Sequence, residues 1–162
     1  MPSREVARLL PYPPEDLFDL AADVERYPEF LRGWIAAPIR KREANVYYTD
    51  QTLGLGPIRL RFASKTTLDR PKRIEVTSKD PPFQRFWLCW RFDPQPGMSC
   101  LVRLAVEIEL RSRLLGRIAD QALPSLIMDT IAAFEMRAAR LYVPLPHANG
   151  SMRRREVRRR GS

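Results

Sequence analysis

One histidine, two cysteines and seven glycines are all that these 162 residues offer to general-base, thiol and phosphate-loop chemistry. The histidine, His147, lies in a proline-flanked segment and reads as an exposed linker side chain rather than a general base. Cys89 and Cys100 fall in apolar, strand-like contexts with no base nearby, which predicts buried inert thiols and argues against a disulfide scaffold. No Cys/His cluster has metal spacing, and Gly54-x-Gly56 lacks the third glycine and the strand-to-helix setting of a dinucleotide loop. Glu107 and Glu109 share a strand face but are flanked by Arg103 and Arg111, the pattern of a solvated ion-pair face rather than an acid/base pair. Nothing approaches the ~18 consecutive apolar residues of a membrane span. The first residues, MPSREVARLLPYPPEDLF, lack the charged-apolar-small order of a secretion signal. The expectation is a cytosolic protein that is not an enzyme and holds neither metal nor cofactor.

Charge is plentiful, but it is unevenly placed. Lysine and arginine number 28 against 19 acidic residues, a net charge of +9. The closing SMRRREVRRRGS holds six arginines, Arg153, Arg154, Arg155, Arg158, Arg159 and Arg160, and one glutamate, so five of those nine charges sit in twelve residues. Like charges in a block repel one another and stay solvated, which predicts a disordered basic tail over 147–162 behind a folded domain over 1–146. Such a tail can visit an anionic membrane face, at ~1 kcal/mol per arginine, or touch rRNA by counterion release. The body has no aromatic-bearing ribonucleoprotein strand and no Gly-x-x-Gly clamp.

Hydrophobic periodicity orders the body. Glu5–Leu10 reads as a strand stopped by PYPP. Pro14 suits a first helical turn that Glu15 and Asp16 complement, with Leu17, Phe18, Leu20, Ala21 and Val24 on one stripe. Asp23 is placed to cap a second short helix, which Pro28 interrupts. Strands follow over Ile35–Glu43 and Val46–Leu55, and then a strand with Leu60, Phe62, Ser64, Thr66 and Leu68 on one face. After IEVTSK, the residues Phe86, Leu88, Trp90 and Phe92 point one way, and Cys100 to Leu110 alternate strictly, as one wet face and one dry face require. The period then becomes helical: Leu123, Ile127, Ile131, Phe134, Ala138 and Leu141 form one stripe, with Gly116 and Pro124 marking a shorter piece ahead of it. This order predicts an α+β fold, an antiparallel sheet with one long helix across its concave face.

The stretches YPPEDLFDLAADVERYPEFL, LGLGPIRLRFASKTTLDRPKRIEV, PPFQRFWLCWRF and AAFEMRAARLY resemble the coenzyme Q-binding START-domain family, from about residue 3 to 143. That family spans mitochondrial ubiquinone-binding and bacterial ribosome-association toxin branches, within the polyketide cyclase and Bet v 1-like superfamily. The resemblance implies a helix-grip fold: a curved seven-stranded antiparallel sheet around a long C-terminal helix, with two short helices after the first strand. It implies a non-catalytic monomer that binds ubiquinone or a related prenyl lipid in support of respiratory electron transport. The alternatives are a ribosome-associated toxin or regulator contacting the large subunit and, more weakly, a cyclase-like enzyme. Three departures stand out: Pro81-Pro82-Phe83 for Gly-Pro-Phe, Trp87-Leu88-Cys89 before the family tryptophan, and Arg32-Gly33-Trp34 for Pro-Trp. Each predicts a more apolar cavity mouth.

A curved sheet closed by one helix holds a ligand by burying its surface, at ~25 cal/mol per Å². The candidate lining is Phe30, Trp34, Phe62, Phe83, Trp90, Phe92, Ile127, Ile131 and Phe134, all types that an ordinary core also needs. Tyr27 offers a hydroxyl either to a quinone carbonyl or to a bond inside the fold.

Overall fold

The structure, a computed structural model, describes residues 3–143. His147 and the arginine tail therefore lie outside the described residues. Strand β1 (Ser3–Leu10) leads into α1 (Pro14–Ala22), a single 3-10 turn (Val24–Arg26) and the short α2 (Tyr27–Phe30). Strands β2 (Trp34–Ala36), β3 (Ile39–Glu43), β4 (Val46–Leu55), β5 (Ile58–Asp69), β6 (Arg73–Ser78), β7 (Phe83–Gln95) and β8 (Ser99–Leu110) follow, and α3 (Arg113–Leu141) closes the fold.

The strands form one antiparallel sheet in the order β1-β8-β7-β6-β5-β4-β2, with β3 also on β4. β2 and β3 are two pieces of one edge strand, because Trp34 pairs with Leu53 and Ile39 with Thr49 along the same partner. Pro38, which has no N–H to give a ladder, sits at the break between them. Counted as one, they complete the curled seven-stranded sheet expected from the sequence. α3 packs against β1 and β8 at one end of the sheet and β4 and β5 towards the other, which only a curled sheet permits.

Two local expectations differ from the structure. α3 runs unbroken for 29 residues, ~43 Å at 1.5 Å per residue, and does not divide at Gly116 or Pro124. The carbonyl that Pro124 leaves without a donor belongs to Asp120, which is exposed and open to water, while buried Ala119, Leu123 and Ile127 hold the axis on both sides. The Ser112 hydroxyl accepts from Leu115 N at 3.2 Å and caps the helix. Asp23 makes no cap bond and pairs instead with Arg26 at 3.2 Å.

Period-two alternation sends Phe86, Leu88, Trp90 and Phe92 inward, where they meet Val102, Leu104, Val106 and Ile108 of β8 and the buried stripe of α3. The stripe ends at Ala138, since Leu141 is exposed.

Candidate functional site

The sheet–helix interior has an apolar side and a polar one. β7 and β8 supply Phe86, Leu88, Leu104, Val106 and Ile108. β4 and β5 supply Thr49, Gln51, Ser64 and Thr66, each at most 4% exposed. Register sets Thr49 opposite Ser64, Thr66 opposite Tyr47 and Gln51 opposite Phe62. Trp34 Nε1 donates to Gln51 Oε1 at 3.1 Å, and Gln51 Nε2 donates to Ser64 Oγ at 2.8 Å, so that chain of polar groups is satisfied. Thr49 Oγ1, Thr66 Oγ1 and Trp90 Nε1 are buried without a hydrogen-bond partner.

Tyr27 and Tyr47 roof this polar side. The last carbonyls of α1 lack helical donors, and the two phenols supply them: Tyr27 donates to Ala21 O, and Tyr47 to Ala22 O at 2.7 Å. Burial raises both phenol pKa values well above the ordinary range, so both stay protonated and keep donating. The Tyr27 proton is thus engaged within the fold. Trp90 Nε1 and Thr66 Oγ1 stand near enough to Tyr27 and Tyr47 to temper those rises. Neither closes a bond of normal geometry to the phenol oxygen beside it.

Two small voids of about 10 Å³ each, room for one water molecule, lie against the concave sheet, one under α3 and the other under the α1–α2 segment. One lies among Trp34, Leu53, Leu88, Leu126, Ile127 and Thr130; the other among Tyr27, Trp34, Tyr47, Gln51, Thr66 and Val76. No charged side chain lines either. Ligand pockets run to roughly 300–1,000 Å³, so neither void holds a ligand unless the helices over the sheet shift. α3 sits unusually close to the β2–β4 rim, where a Cβ on Gly33 would lie 2.3 Å from Leu126 Cδ1 and one on Gly56 3.1 Å from Ala122 Cβ. Its far end is clasped by Arg137, which pairs with Glu29 at 2.8 Å and covers the Phe30 ring at 5.0 Å. The Arg137 guanidinium holds the Glu29 carboxyl below the usual carboxylate range.

The ten residues proposed from sequence as lining divide by position. Tyr27, Trp34 and Ile127 wall the voids. Phe62 and Phe83 join Phe86 in a cluster of rings 4.8–4.9 Å apart. Trp90, Phe92, Ile131 and Phe134 are packed solid, with Trp90 stacked on Phe92 and 4.7 Å from Phe134. Phe30 is half-buried under Arg137. Sequence reasoning passed over Tyr47, Thr49, Gln51 and Thr66 as site residues because their side chains are polar; the inward alternation of β5 was the available signal for Thr66. Trp87 and Cys89, expected at the cavity mouth, face the convex side, where Trp87 Nε1 donates to Glu75 Oε2 at 2.7 Å. The reason is parity: they alternate with inward Phe86, Leu88 and Trp90.

The convex face also carries Arg73, Arg91 and Arg103 directly opposite one another on three neighbouring strands. Arg73 pairs with Glu75 and Arg103 with Asp93, each at 3.2 Å, and Arg85 pairs with Glu107. Among the described residues no cluster of acidic, Cys or His side chains could hold a metal, and no helix is long and apolar enough to cross a membrane.

A curled sheet gripping one long helix over an uncharged interior defines a START-like, helix-grip protein. The chain belongs to the polyketide cyclase / dehydrase and lipid transport family, whose model matches residues 10–135. It is 30% identical over 138 residues to the ribosome association toxin RatA of Pseudomonas aeruginosa, covering 83% of this chain and 93% of that one. It is 24% identical over 152 residues to the mitochondrial coenzyme Q-binding protein COQ10 homolog B of Xenopus laevis, covering 88% of this chain and 62% of that one. The Zhui aromatase/cyclase from Streptomyces superposes with a TM-score of 0.76 at 13% identity over 85% of this chain and 93% of that one, which shows a shared fold alone.

Proposed function

We propose that this protein is a non-catalytic carrier of a hydrophobic ligand, ubiquinone or a related prenyl lipid, in support of respiratory electron transport. The observation that carries this reading is the uncharged interior of the concave sheet, covered by α3 on one side and by the α1–α2 segment on the other, which has walls for an apolar body and no acid, base or cation to act on it. The coenzyme Q-binding relative supports the choice of ligand. At the start of α3, exposed Leu114 and Leu115 lie among Arg111, Arg113 and Arg117. That combination suits transient contact of a cytosolic monomer with an anionic membrane, as do the arginines of the tail. Organic extraction of protein purified from its native host, followed by mass spectrometry, tests the reading. A quinone or prenyl lipid is expected in the extract. A clean extract, together with no uptake of added long-chain quinone by folded protein, refutes it.

A second reading, a regulator bound to the large ribosomal subunit, is favoured by the toxin relative and by the convex row of arginines, which suits phosphate. Cosedimentation with large subunits that survives deletion of residues 151–162 and fails after Arg91→Glu would establish it. The cyclase reading needs polar groups inside the cavity. Thr49, Gln51, Ser64 and Thr66 are such groups, but none is an acid or base at neutral pH.

A further inference from the structure

A ligand that fills the interior needs a way in, and the bonds that hold the helical cover down are unevenly spread. α1 is anchored twice. Arg70, in the turn after β5, grips Asp19 through bonds of 2.8 and 2.9 Å, and Tyr47 of β4 donates to Ala22 O. The 3-10 turn is anchored as well, since Glu25 Oε2 accepts from Ile39 N of β3 at 2.7 Å. α2 has no such tie to the sheet. Among the described residues, its one hydrogen bond to anything beyond the chain from α1 to β2 joins Glu29 to Arg137 of α3, at 2.8 Å.

The seam between α2 and α3 also reaches both voids. Tyr27 of α2 borders one, Leu126, Ile127 and Thr130 of α3 border the other, and Trp34 borders both. From the surface inward the groups run in a line: the Arg137 guanidinium lies 5.0 Å from the Phe30 ring, Phe30 6.0 Å from Tyr27, and Tyr27 5.6 Å from Trp34. Further along the seam the contact is apolar, Leu126 packed on Gly33. The polar closure is modest in strength. Glu29 is half exposed, and Arg137 Nε is buried without a partner, which works against the pair. We infer that the seam between α2 and α3 is the door of the interior, latched by Arg137 on Glu29 and Phe30, and that its opening joins the two voids around Trp34. This rests on the carrier reading and adds the route by which the ligand enters and leaves. A latch made equally in the empty and the filled protein sets rates and not affinity, because its loss raises the open fraction of both states by the same factor.

Stopped-flow quenching of tryptophan fluorescence by decylubiquinone reads the association rate of the full chain, and transfer of the bound quinone into excess phosphatidylcholine vesicles reads its dissociation. Arg137→Met removes the ion pair and the cation–π contact together, and should speed both rates about tenfold while the affinity stays within about twofold of wild type. Glu29→Gln removes the ion pair alone at a half-exposed position, and should speed both rates by about threefold. It carries the test if Arg137→Met fails to fold. Arg70→Met frees α1 on the other side of the cover, and should leave both rates within about twofold of wild type. Unchanged rates in folded Arg137→Met and Glu29→Gln, or an equal acceleration in Arg70→Met, overturns the door and leaves the carrier reading standing. A change in affinity with no gain in association rate also overturns it, since that is the mark of a wall and not of a latch. A wild type that takes up no decylubiquinone overturns the carrier reading and this inference with it.

Discussion

Phe134 and Ile127 lie two turns apart on the same buried stripe of α3, yet truncating them should have different consequences. Phe134 is 0% exposed, with its ring 4.7 Å from Trp90, and borders neither void. An aromatic side chain buries ~150–250 Å², worth up to ~4–6 kcal/mol at ~25 cal/mol per Å². Partial collapse of the gap brings the cost of Phe134→Ala to ~3–5 kcal/mol, a large share of the ~5–15 kcal/mol that holds a domain together. The melting temperature should fall by roughly 10 °C. Ile127→Ala should cost ~2–4 kcal/mol, but the space it opens joins a void already beside Trp34 and Leu88. A bound ligand stabilises by RT ln(1 + [L]/Kd), so on the carrier reading saturating quinone should raise the melting points of Phe134→Ala and of the wild type by the same increment. The increment for Ile127→Ala should differ, because that variant changes a wall of the void proposed to admit the ligand. Circular dichroism melts and urea titrations with and without decylubiquinone measure all three proteins. A Phe134→Ala protein melting within about 3 °C of wild type, or ligand increments identical in all three, would refute this division of α3 into core and site.

Three further outcomes follow from the geometry. Gln51→Leu strands the Trp34 indole N–H and the Ser64 hydroxyl, and should cost ~1–3 kcal/mol in urea unfolding, while Gln51→Glu should lose stability further as pH rises and the new carboxyl ionises. Glu29 has its folded-state pKa lowered, first by Arg137, so its pairing stabilises above the unfolded carboxylate pKa and is lost as pH falls through the folded one. The Arg137→Met protein should accordingly show a flatter melting curve against pH across the acid range than wild type. Cys100 is sealed from solvent, and burial, with Asp93 adding to it, pushes its thiol up to about 12. Iodoacetamide at pH 8 should leave it unmodified in the native protein and alkylate it in urea, as peptide mass spectrometry would show.

The fold was readable because its periods are regular. Cys100 to Leu110 alternate without a slip, α3 repeats at three and four residues, and PYPP and Pro28 punctuate the first third of the chain. Of the candidate site, only the apolar walls were legible. Aromatic residues announce burial in any context, so Trp34 and Trp90 were picked from sequence together, although one walls both voids and the other sits in solid packing. Polar residues announce nothing about burial, and Gln51 resembles a surface glutamine until its partners are known.

The sequence by itself determined which elements form, which face of each strand and of α3 is apolar, and that charge gathers at the far end of the chain. Those properties depend on neighbours within a few residues, where the backbone period alone decides what lies beside what. Tertiary structure decided that Pro38 divides an edge strand without ending the sheet and that Gly33 lets α3 press onto the rim. It also placed Trp87 outside the cavity. Above all it brought Tyr27 and Tyr47 to the end of α1 and left Thr66 facing the interior without a partner. Pairing between residues far apart in the chain depends on sheet register and on the curl around α3, which no local pattern encodes.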